Sequence, residues 1–394
     1  MWVRTVAGAQ EGLVGWGEAA HFEVAGDERF SRAHRWWRGL SESADAHSTV
    51  DAPGAGLVAF TSFAFDAGRP SVLVVPRIVI GRMNGVTFLT SITRQGEAPA
   101  DVDAIAAEVL RPHAAPAPIP AISWPETTAQ RADFQTRVTT AIDRVRAGDV
   151  DKVVLARAVL GRAAGAVDPR LVLHRLAHRF GDCWTFAVGG LVGATPELLV
   201  ARHGDHVHSR VLAGTVGRSE DHGADGRLTA ALLGSAKDLA EHRYAVHSVA
   251  TALAMHCTDV SVPPRPRILR LANVAHLATD IRADLADEAT ALVLAASLHP
   301  TAAVCGTPTE RAQSVIDEVE GIDRAGYAGP IGWIAASGDG QLGIALRCAS
   351  LGQPGDPTAV TLYAGCGIVR GSTAAGEWAE SEAKLGAMRG ALAT

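Results

Sequence analysis

Hydrophobic and polar residues alternate in short runs along the first 95 residues of the chain. Val, Ile, Phe and Thr are enriched in these runs, and Gly, Pro, Asn or Asp separate them, which is typical of β-strands. The four predicted strands occupy residues 13–19, 57–66, 71–81 and 85–94. Residues 28–44 instead repeat their hydrophobic positions with helical spacing, so Trp36 and Trp37 are expected to face the interior. The pattern predicts a β-rich region with one helix.

A proline-rich stretch separates this region from the rest of the chain. A short helix is predicted at residues 101–110, and the prolines of residues 111–127 are typical of an extended connector. We therefore divide the chain into a β-rich part (1–110), the connector and a second region (128–394). The β-rich part is expected to be intertwined with the second region in one domain.

Hydrophobic patterns in the second region predict both helices and strands. An amphipathic helix at residues 129–147 ends at Gly148, and a buried strand follows that begins with Lys152. Further predicted elements are strands within 183–202, 209–218 and 268–285, two helices within 225–253, and a hairpin over 327–349 whose second strand carries Arg347. The final stretch, residues 361–384, begins with strand formers, turns through three glycines and enters a charged helix.

Composition narrows the class of protein. Of the 394 residues, 47% are hydrophobic, which is enough for a large core, and the net charge of −6 argues against nucleic acid as a main partner. The longest uncharged run, 289–309, contains two prolines and is not expected to cross a membrane. The five cysteines are scattered without metal-ligand spacing, and no signal-peptide pattern occurs at the N-terminus. We expect a cytoplasmic protein with reduced thiols, and a monomer, because nothing in the sequence requires a partner subunit.

Lysine is rare in this chain, because Lys152, Lys237 and Lys384 are the only lysines among 36 basic residues. A lysine can lose its proton, whereas an arginine does not do so in proteins. Lys152 begins a strand with many apolar neighbours, where burial would lower its pKa toward neutrality and make it usable as a base. The alternative is a strand-end lysine that extends to solvent.

Two further positions are candidates for proton transfer and anion binding. Glu197 follows a proline and precedes three apolar residues, and burial there would raise its pKa and keep it protonated as an acid. An edge-strand glutamate that faces water is the alternative. Gly214 and Thr215 are predicted to form a turn whose backbone amides could bind a carboxylate, although an ordinary tight turn has the same sequence.

Two pairs of carboxylates have the spacing that places both members on one helix face. Glu377 and Glu380 form the first pair, with Lys384 four residues further on, and Asp238 and Glu241 form the second. Ordinary charge pairs on a solvated helix would look the same. Two helices that each present such a pair could together hold a divalent cation, and for oxygen ligands without cysteine or patterned histidine we expect Mg²⁺.

Three residues between these pairs suggest a ligand pocket. Ala303 lies in a turn of small residues that would leave room for a ligand, and Arg347 has apolar neighbours, where an unpaired charge is costly. Arg347 therefore needs an anionic partner from the protein or from a substrate. His276 lies in an apolar strand and could be either a core residue or a ligand contact.

These motifs occur together in an order that resembles the chorismate-utilising enzymes, which include isochorismate synthase, salicylate synthase, the large subunit of anthranilate synthase and aminodeoxychorismate synthase. The resemblance covers residues 130–390 and is faint in the first 110. It depends on the motifs VDKVVLAR, ATPELL, LAGTVGR, KDLAEH, VAHLAT, LHPTAAVCGTP, YAGPIGW, IALRCA, YAGCGIV and EWAESEAK.

The resemblance implies an α+β fold with two large, mostly antiparallel β-sheets packed together and flanked by helices, and Mg²⁺-dependent chemistry on chorismate. Lys152 is similar to the base that activates water for attack at C2, and Glu197 to the acid that protonates the departing C4 hydroxyl. The positions that match Mg²⁺ ligands are Glu241 and Glu380, with Asp238 and Glu377 as neighbouring partners. Those that match carboxylate-binding positions are Gly214, Thr215, Arg347, Gly365 and Lys384, with His276 near the ring.

Single positions separate the members of this family. Ammonia-using relatives tend to have Gln where Lys152 stands, and Ala213 occupies the position of the lysine nucleophile of some aminodeoxychorismate synthases. The small residue at Ala303 is similar to that position in isochorismate synthases, whereas Leu346 is more similar to its counterpart in salicylate synthases. Salicylate synthases continue from isochorismate by eliminating pyruvate. We therefore expect an isochorismate synthase for menaquinone or siderophore biosynthesis, with salicylate synthase as the alternative. A non-catalytic paralogue would be expected to have lost a catalytic or metal-binding residue, and none is lost.

Overall fold

The structure is a computed structural model that describes residues 1–6, 8–98, 100–112, 114–125 and 127–394. Its strands are β1 (Trp2–Val6), β2 (Ala9–Trp16), β3 (Ala20–Val24), β4 (Val58–Ser62), β5 (Ser71–Val75), β6 (Ile78–Met83), β7 (Val86–Ser91), β8 (Ile122–Ser123), β9 (Lys152–Ala163), β10 (Trp184–Val188), β11 (Leu191–Thr195), β12 (Leu198–His203), β13 (His206–Gly217), β14 (Cys257–Ser261), β15 (Arg267–Arg270), β16 (Val274–Leu285), β17 (Gly306–Thr307), β18 (Pro330–Ala335), β19 (Gly340–Ile344), β20 (Cys348–Gln353) and β21 (Asp356–Ile368).

Most helices of the described residues begin where a capping side chain accepts from a free backbone amide, as at Asp168, Ser235 and Thr373, whereas those that begin at Arg29 and Thr309 have no side-chain cap. They are α1 (Arg29–Ser43), α2 (Val102–Val109), α3 (Thr128–Ala147), α4 (Pro169–Arg179), α5 (His222–Gly234), α6 (Ala236–Leu253), α7 (Ala291–Leu298), α8 (Thr309–Val319) and α9 (Ala374–Ala391). None of these helices is long and apolar enough to cross a membrane.

The strands form two large sheets in which neighbouring strands run antiparallel. The first sheet has the order β17-β9-β21-β20-β11-β10-β1-β2-β6-β7, with β8 also paired to β9. The second has the order β14-β16-β13-β12-β19-β18-β4-β5-β3, with β15 also paired to β16. The predicted fold, an α+β protein with two large antiparallel sheets and flanking helices, is confirmed.

A continuous hydrophobic core joins the two sheets. Trp2 on β1 and Trp333 on β18 are both almost completely buried, and the indole of Trp2 donates to Gln341 of β19 across the sheets (3.1 Å). A second cluster packs Leu176 of α4 and Met388 of α9 together with Leu362 of β21. The long strands β9, β13, β16 and β21 of these two sheets supply most of the site described below.

The strands from the first part of the chain are distributed over both sheets. β1 pairs with β10 in the first sheet, and β4 pairs with β18 in the second. The connector predicted at 111–127 includes β8, while His113 and Glu126 within it lie outside the described residues. The two regions of the chain thus share both sheets.

Two local predictions are wrong because backbone pairing continues through glycines. β21 extends to Ile368, so Gly365 and Gly367 lie within a strand and not in a turn. β13 likewise continues past Gly214, which forms a bulge opposite β16 and has a positive φ of 77°. Long-range pairing overrides the local turn preference of glycine at both places.

Candidate active site

Strands from both sheets converge on one partly open pocket. β9 and β21 supply its wall from the first sheet, and β13 and β16 supply the wall from the second. Nine of the residues singled out from the sequence line it: Glu197, Gly214, Thr215, Glu241, His276, Ala303, Arg347, Gly365 and Lys384. The other four do not line it: Lys152 lies beside Glu241, Asp238 against Gly214, Glu380 beside Lys384 and Glu377 beside Lys237. Convergent polar and charged side chains in a concave site are typical of small-molecule binding.

Lys152 is a fully buried charged residue at the start of β9. Its side chain is 0% exposed, and Nζ lies 3.3 Å from Oε1 of Glu241. Nζ makes no hydrogen bond within the described residues. Since a buried amine without hydrogen-bond partners is costly, its position beside the pocket leaves Nζ available to a ligand or a water molecule. The solvent-exposed alternative for Lys152 is wrong.

Glu197 lies between β11 and β12 and is only 4% exposed. Burial raises the pKa of its carboxyl to about 8, although the nearby charge of Lys152 opposes the rise. The carboxyl therefore holds a proton at neutral pH and can donate it. The alternative of an edge-strand glutamate that faces water is wrong for this residue.

Arg347 lies opposite His276, with Thr215 on the far side of the histidine ring. Nη2 of Arg347 is 2.8 Å from Nε2 of His276, and Nδ1 of His276 is 3.0 Å from Oγ1 of Thr215. Arg347 follows the end of β19 and has a positive φ of 49°, so its predicted place on the second hairpin strand is wrong. Among the described residues, the side-chain partner of Arg347 is the His276 ring and not a carboxylate, and Nε of Arg347 is buried without a partner. The anionic partner that Arg347 needs would therefore come from a ligand.

Carboxylates from α6 and α9 gather around Lys237. Oε1 of Glu377 lies 3.0 Å from Nζ of Lys237, and the charges of Glu380 and Glu241 also act on this lysine. Burial, and then the neighbouring charge of Glu380, raise the pKa of Glu377. Asp238 differs from these residues because its side chain lies against Gly214.

The carboxylates of α6 and α9 are oxygen donors of the kind that bind a hard divalent cation. Within the described residues, no three His, Cys, Asp or Glu side chains form a preassembled metal site. However, Oε2 of Glu377 is buried without a hydrogen-bond partner, and like charges crowd Glu377 and Glu380. An added cation would relieve both costs, and the donors are all oxygen, which suits Mg²⁺. The oxygen donors and the negative charge of these residues therefore fit a magnesium ion.

Lys384 connects the acidic group to the pocket. Its Nζ donates to Oε1 of Glu380 (2.5 Å) and to the backbone carbonyl of Gly365 (2.8 Å). The i, i+4 spacing on α9 places the amine and the carboxylate together, as the sequence pattern indicates. Lys384 also lines the pocket, so a bound anion would lie close to this ammonium group.

Three residues of the site were not singled out for a role from the sequence. Arg324 and Tyr327 line the pocket, and Lys237 is the counter-charge of the acidic group. Arg324 is 3% exposed and pairs with Glu320, four residues earlier. The sequence does contain a signal for this pair, because Glu320 and Arg324 have the i, i+4 spacing of a charge pair and lie just before the motif YAGPIGW.

Comparison with known proteins gives one family for nearly the whole chain. The model of the family described as "Chorismate binding enzyme" matches residues 5–393. The isochorismate synthase MenF of Bacillus subtilis (strain 168) is 30% identical over 411 residues, covering 96% of this chain and 85% of that protein. The salicylate biosynthesis isochorismate synthase of Pseudomonas aeruginosa is 41% identical over 267 residues. That match spans 67% of this chain and only 55% of the Pseudomonas protein.

A solved structure leads to the same family. The menaquinone-specific isochorismate synthase MenF of Escherichia coli superimposes with a TM-score of 0.78 at 26% sequence identity, covering 99% of this chain and 88% of that one. The superposition therefore includes both sheets, not the second region alone. From the family match over residues 5–393 and the pocket geometry, we conclude that this chain belongs to the chorismate-binding enzyme family.

Proposed function

We propose that this protein is an isochorismate synthase, an isomerase that converts chorismate into isochorismate. The observation that carries the proposal is the pairing of Glu197, a buried acid that stays protonated at neutral pH, with the buried amine of Lys152 at one pocket. The relatives of Bacillus subtilis and Pseudomonas aeruginosa that carry this activity in their names support it.

Two proton transfers account for the reaction. Water attacks C2 of the ring while Lys152 takes its proton, the ring double bonds shift, and the C4 hydroxyl leaves as water with the proton of Glu197. One hydroxyl is gained and one is lost, so substrate and product are isomers. The acid must hold its proton until the C4 hydroxyl leaves, and the raised pKa of the buried Glu197 carboxyl meets this condition at neutral pH.

The remaining residues would bind the two carboxylates of chorismate and a magnesium ion. Arg347, Lys384, Thr215 and the backbone at Gly214 and Gly365 supply donors or positive charge along the pocket wall. Glu241 and Glu380 would hold Mg²⁺, with Asp238 and Glu377 as neighbouring partners. The bound ion supplies positive charge that offsets both the substrate carboxylates and the protein carboxylates, so substrate and ion are expected to bind with positive coupling.

Salicylate synthase is the second candidate. Leu346, whose residue type is similar to that of salicylate synthases at this position, lines the pocket next to Arg347. A salicylate synthase would form the same isochorismate and then eliminate pyruvate without release. The proposed place of isochorismate in menaquinone or siderophore biosynthesis applies only if isochorismate is released.

Product identification tests the proposal directly. The protein is incubated with chorismate and Mg²⁺, and the products are separated by chromatography. Isochorismate supports the proposal, salicylate with pyruvate supports the second candidate, and unconverted chorismate contradicts both. Lys152→Ala is expected to abolish turnover while chorismate still binds, and wild-type turnover in this variant would remove Lys152 from the role of base.

We further propose a monomer that acts in the cytoplasm. All five cysteines, Cys183, Cys257, Cys305, Cys348 and Cys366, are buried and unpaired, as suits a reducing compartment. The mass of the purified protein in solution tests the monomer, and fractionation of the source cells tests the compartment.

A further inference from the structure

A chain of hydrogen bonds along one wall of the pocket joins Arg347, His276 and Thr215. The arginine determines which atom donates and which accepts in each of these hydrogen bonds. Nη2 of Arg347 lies 2.8 Å from Nε2 of His276. A guanidinium group has N–H donors and no acceptor. Nε2 must therefore be the acceptor of this hydrogen bond, and it carries no proton.

The histidine is neutral in this environment. It is 3% exposed, and burial, followed by the charges of Arg347 and Lys384, holds the pKa of His276 well below its usual range. A neutral imidazole carries a single proton, which must be on Nδ1 because Nε2 accepts. Nδ1–H then donates to Oγ1 of Thr215 at 3.0 Å, with the carbonyl of Gly214 also within its reach.

Because Nδ1–H of His276 donates to Thr215, the hydroxyl proton of Thr215 is not used in this hydrogen bond. Nδ1 already carries its own proton, so the Thr215 hydroxyl cannot donate to it. No other hydrogen bond of the Thr215 side chain is present in the part of the chain that the structure describes. Thr215 lines the pocket, and the buried Nε of Arg347 also lacks a protein partner. Both ends of the chain thus have a donor left for a ligand.

We infer that His276 is a positioning residue, held as the Nδ1–H tautomer by Arg347, that orients the Thr215 hydroxyl as a hydrogen-bond donor into the pocket. The ligand atom at this point is an acceptor, and an anionic carboxylate oxygen suits it best. A ligand hydroxyl at the same point would be bound through its oxygen lone pair. The inference depends on the proposed function only for the ligand, chorismate, because the tautomer follows from the protein alone.

The tautomer is tested by ¹⁵N NMR of the ligand-free protein labelled at histidine. The spectra are recorded at about pH 6 and about pH 8, on either side of the ordinary histidine pKa, and His276→Gln identifies the signals of this ring. The expected result at both pH values is a protonated Nδ1 and an unprotonated Nε2. The opposite tautomer, or a doubly protonated ring at the lower pH, overturns the inference. This result is independent of whether the protein converts chorismate.

The role of the hydroxyl is tested with a matched pair of variants at Thr215. Thr215→Val keeps the shape and removes the donor, whereas Thr215→Ser keeps the donor. We expect Thr215→Val to weaken chorismate binding about 10- to 100-fold, as for the loss of a hydrogen bond to a charged group, and Thr215→Ser to stay near the wild type. Binding is measured by calorimetry with Mg²⁺ in the Glu197→Gln background, where turnover is blocked, and KM is measured in the otherwise wild-type protein.

Each outcome of the Thr215 experiment has one meaning. If Thr215→Val binds chorismate as tightly as the wild type, the donor role is wrong, even where the tautomer is as expected. If Thr215→Ser loses binding as strongly as Thr215→Val, the hydroxyl by itself does not sustain binding, which also contradicts the inference. If the wild type binds no chorismate, the proposed function fails, and the NMR result alone decides on the tautomer.

Discussion

At the scale of single residues, the burial of Glu197 is expected to support activity at a cost in stability. Its pKa of about 8 means that the acid is lost as the pH rises through 8, so kcat/KM should fall there. The folded pKa lies above the unfolded value of 4.5, so the contribution of Glu197 to stability is full below pH 4.5 and is lost as the pH rises through 8. Glu197→Gln should therefore unfold at higher urea than the wild type at alkaline pH, with turnover reduced at least ~100-fold.

The control for this prediction is Glu108→Gln on α2, whose side chain is 58% exposed. It should leave both the turnover and the pH dependence of unfolding unchanged. If Glu197→Gln unfolds with the same pH dependence as the wild type, the carboxyl does not hold its proton in the folded state, and its role as the acid is lost as well.

A second prediction for a single residue concerns Gly367 on β21. A Cβ at this position would lie 2.1 Å from Oε1 of Glu241 and 3.0 Å from Cε of Lys152. Gly367→Ala must therefore displace the Glu241 carboxylate, and we expect a loss of turnover of at least ~10-fold from a misplaced group. Gly39→Ala on α1, where a Cβ meets nothing within 4 Å, is the control and should be neutral or slightly stabilising. Wild-type turnover and Mg²⁺ dependence in Gly367→Ala would show that the position of Glu241 is not critical.

At the scale of elements, the buried pair Glu320–Arg324 holds the start of β9 in place. Arg324 donates to the carbonyls of Val154 (2.8 Å) and Val304 (2.9 Å), and Glu320 accepts from the amide of Ala156 (2.6 Å). Both side chains are at most 3% exposed. The pair thus ties the end of α8 to the strand that carries Lys152 and to the loop beside Ala303.

Removing one member of this pair leaves a buried charge without its partner. We expect Arg324→Met and Glu320→Gln each to lower the free energy of unfolding by about 3–5 kcal/mol. The matched control is the exposed pair Glu108–Arg111, where Glu108→Gln should cost no more than about 1 kcal/mol. Urea unfolding of the variants measures both values. Equal effects at the two pairs would mean that Glu320 and Arg324 do not position β9.

At the scale of the whole molecule, we propose that residues 1–110 and 128–394 fold as one unit. β1 lies between β2 and β10, and β4 lies between β5 and β18, so strands of the first part complete both sheets. A fragment of residues 128–394 would expose the edges of β10 and β18, and with them apolar surface such as that around Trp333. We expect this fragment to aggregate or remain unfolded, as judged by circular dichroism and sedimentation.

The matched experiment is proteolytic cleavage within the connector 111–127 of the intact protein. The two pieces should remain associated and unfold in a single transition, because each supplies strands to both sheets. A fragment 128–394 that folds alone, or two separate transitions after cleavage, would contradict the single unit.

The sequence alone determined the features that depend on near neighbours in the chain. Helices α3 and α9, the carboxylate pair Glu377–Glu380 and its neighbour Lys384 follow from spacing, because residues three or four apart share a helix face. The two-sheet fold was predicted through the order of motifs, and it is confirmed. The turns placed at Gly214 and Gly365 were wrong, since local preference does not register a partner strand.

Only the tertiary structure decided which distant residues meet, and in what state. Arg347 and His276 are 71 positions apart, and nothing in their local sequence indicates that they are in contact. The same holds for Lys152 beside Glu241, for Lys237 against Glu377 and for Arg324 behind the pocket. The proton on Glu197 and the tautomer of His276 follow from burial and from charges brought in by other elements. Such perturbations act through space, whereas the pattern along the chain records only what is close in sequence.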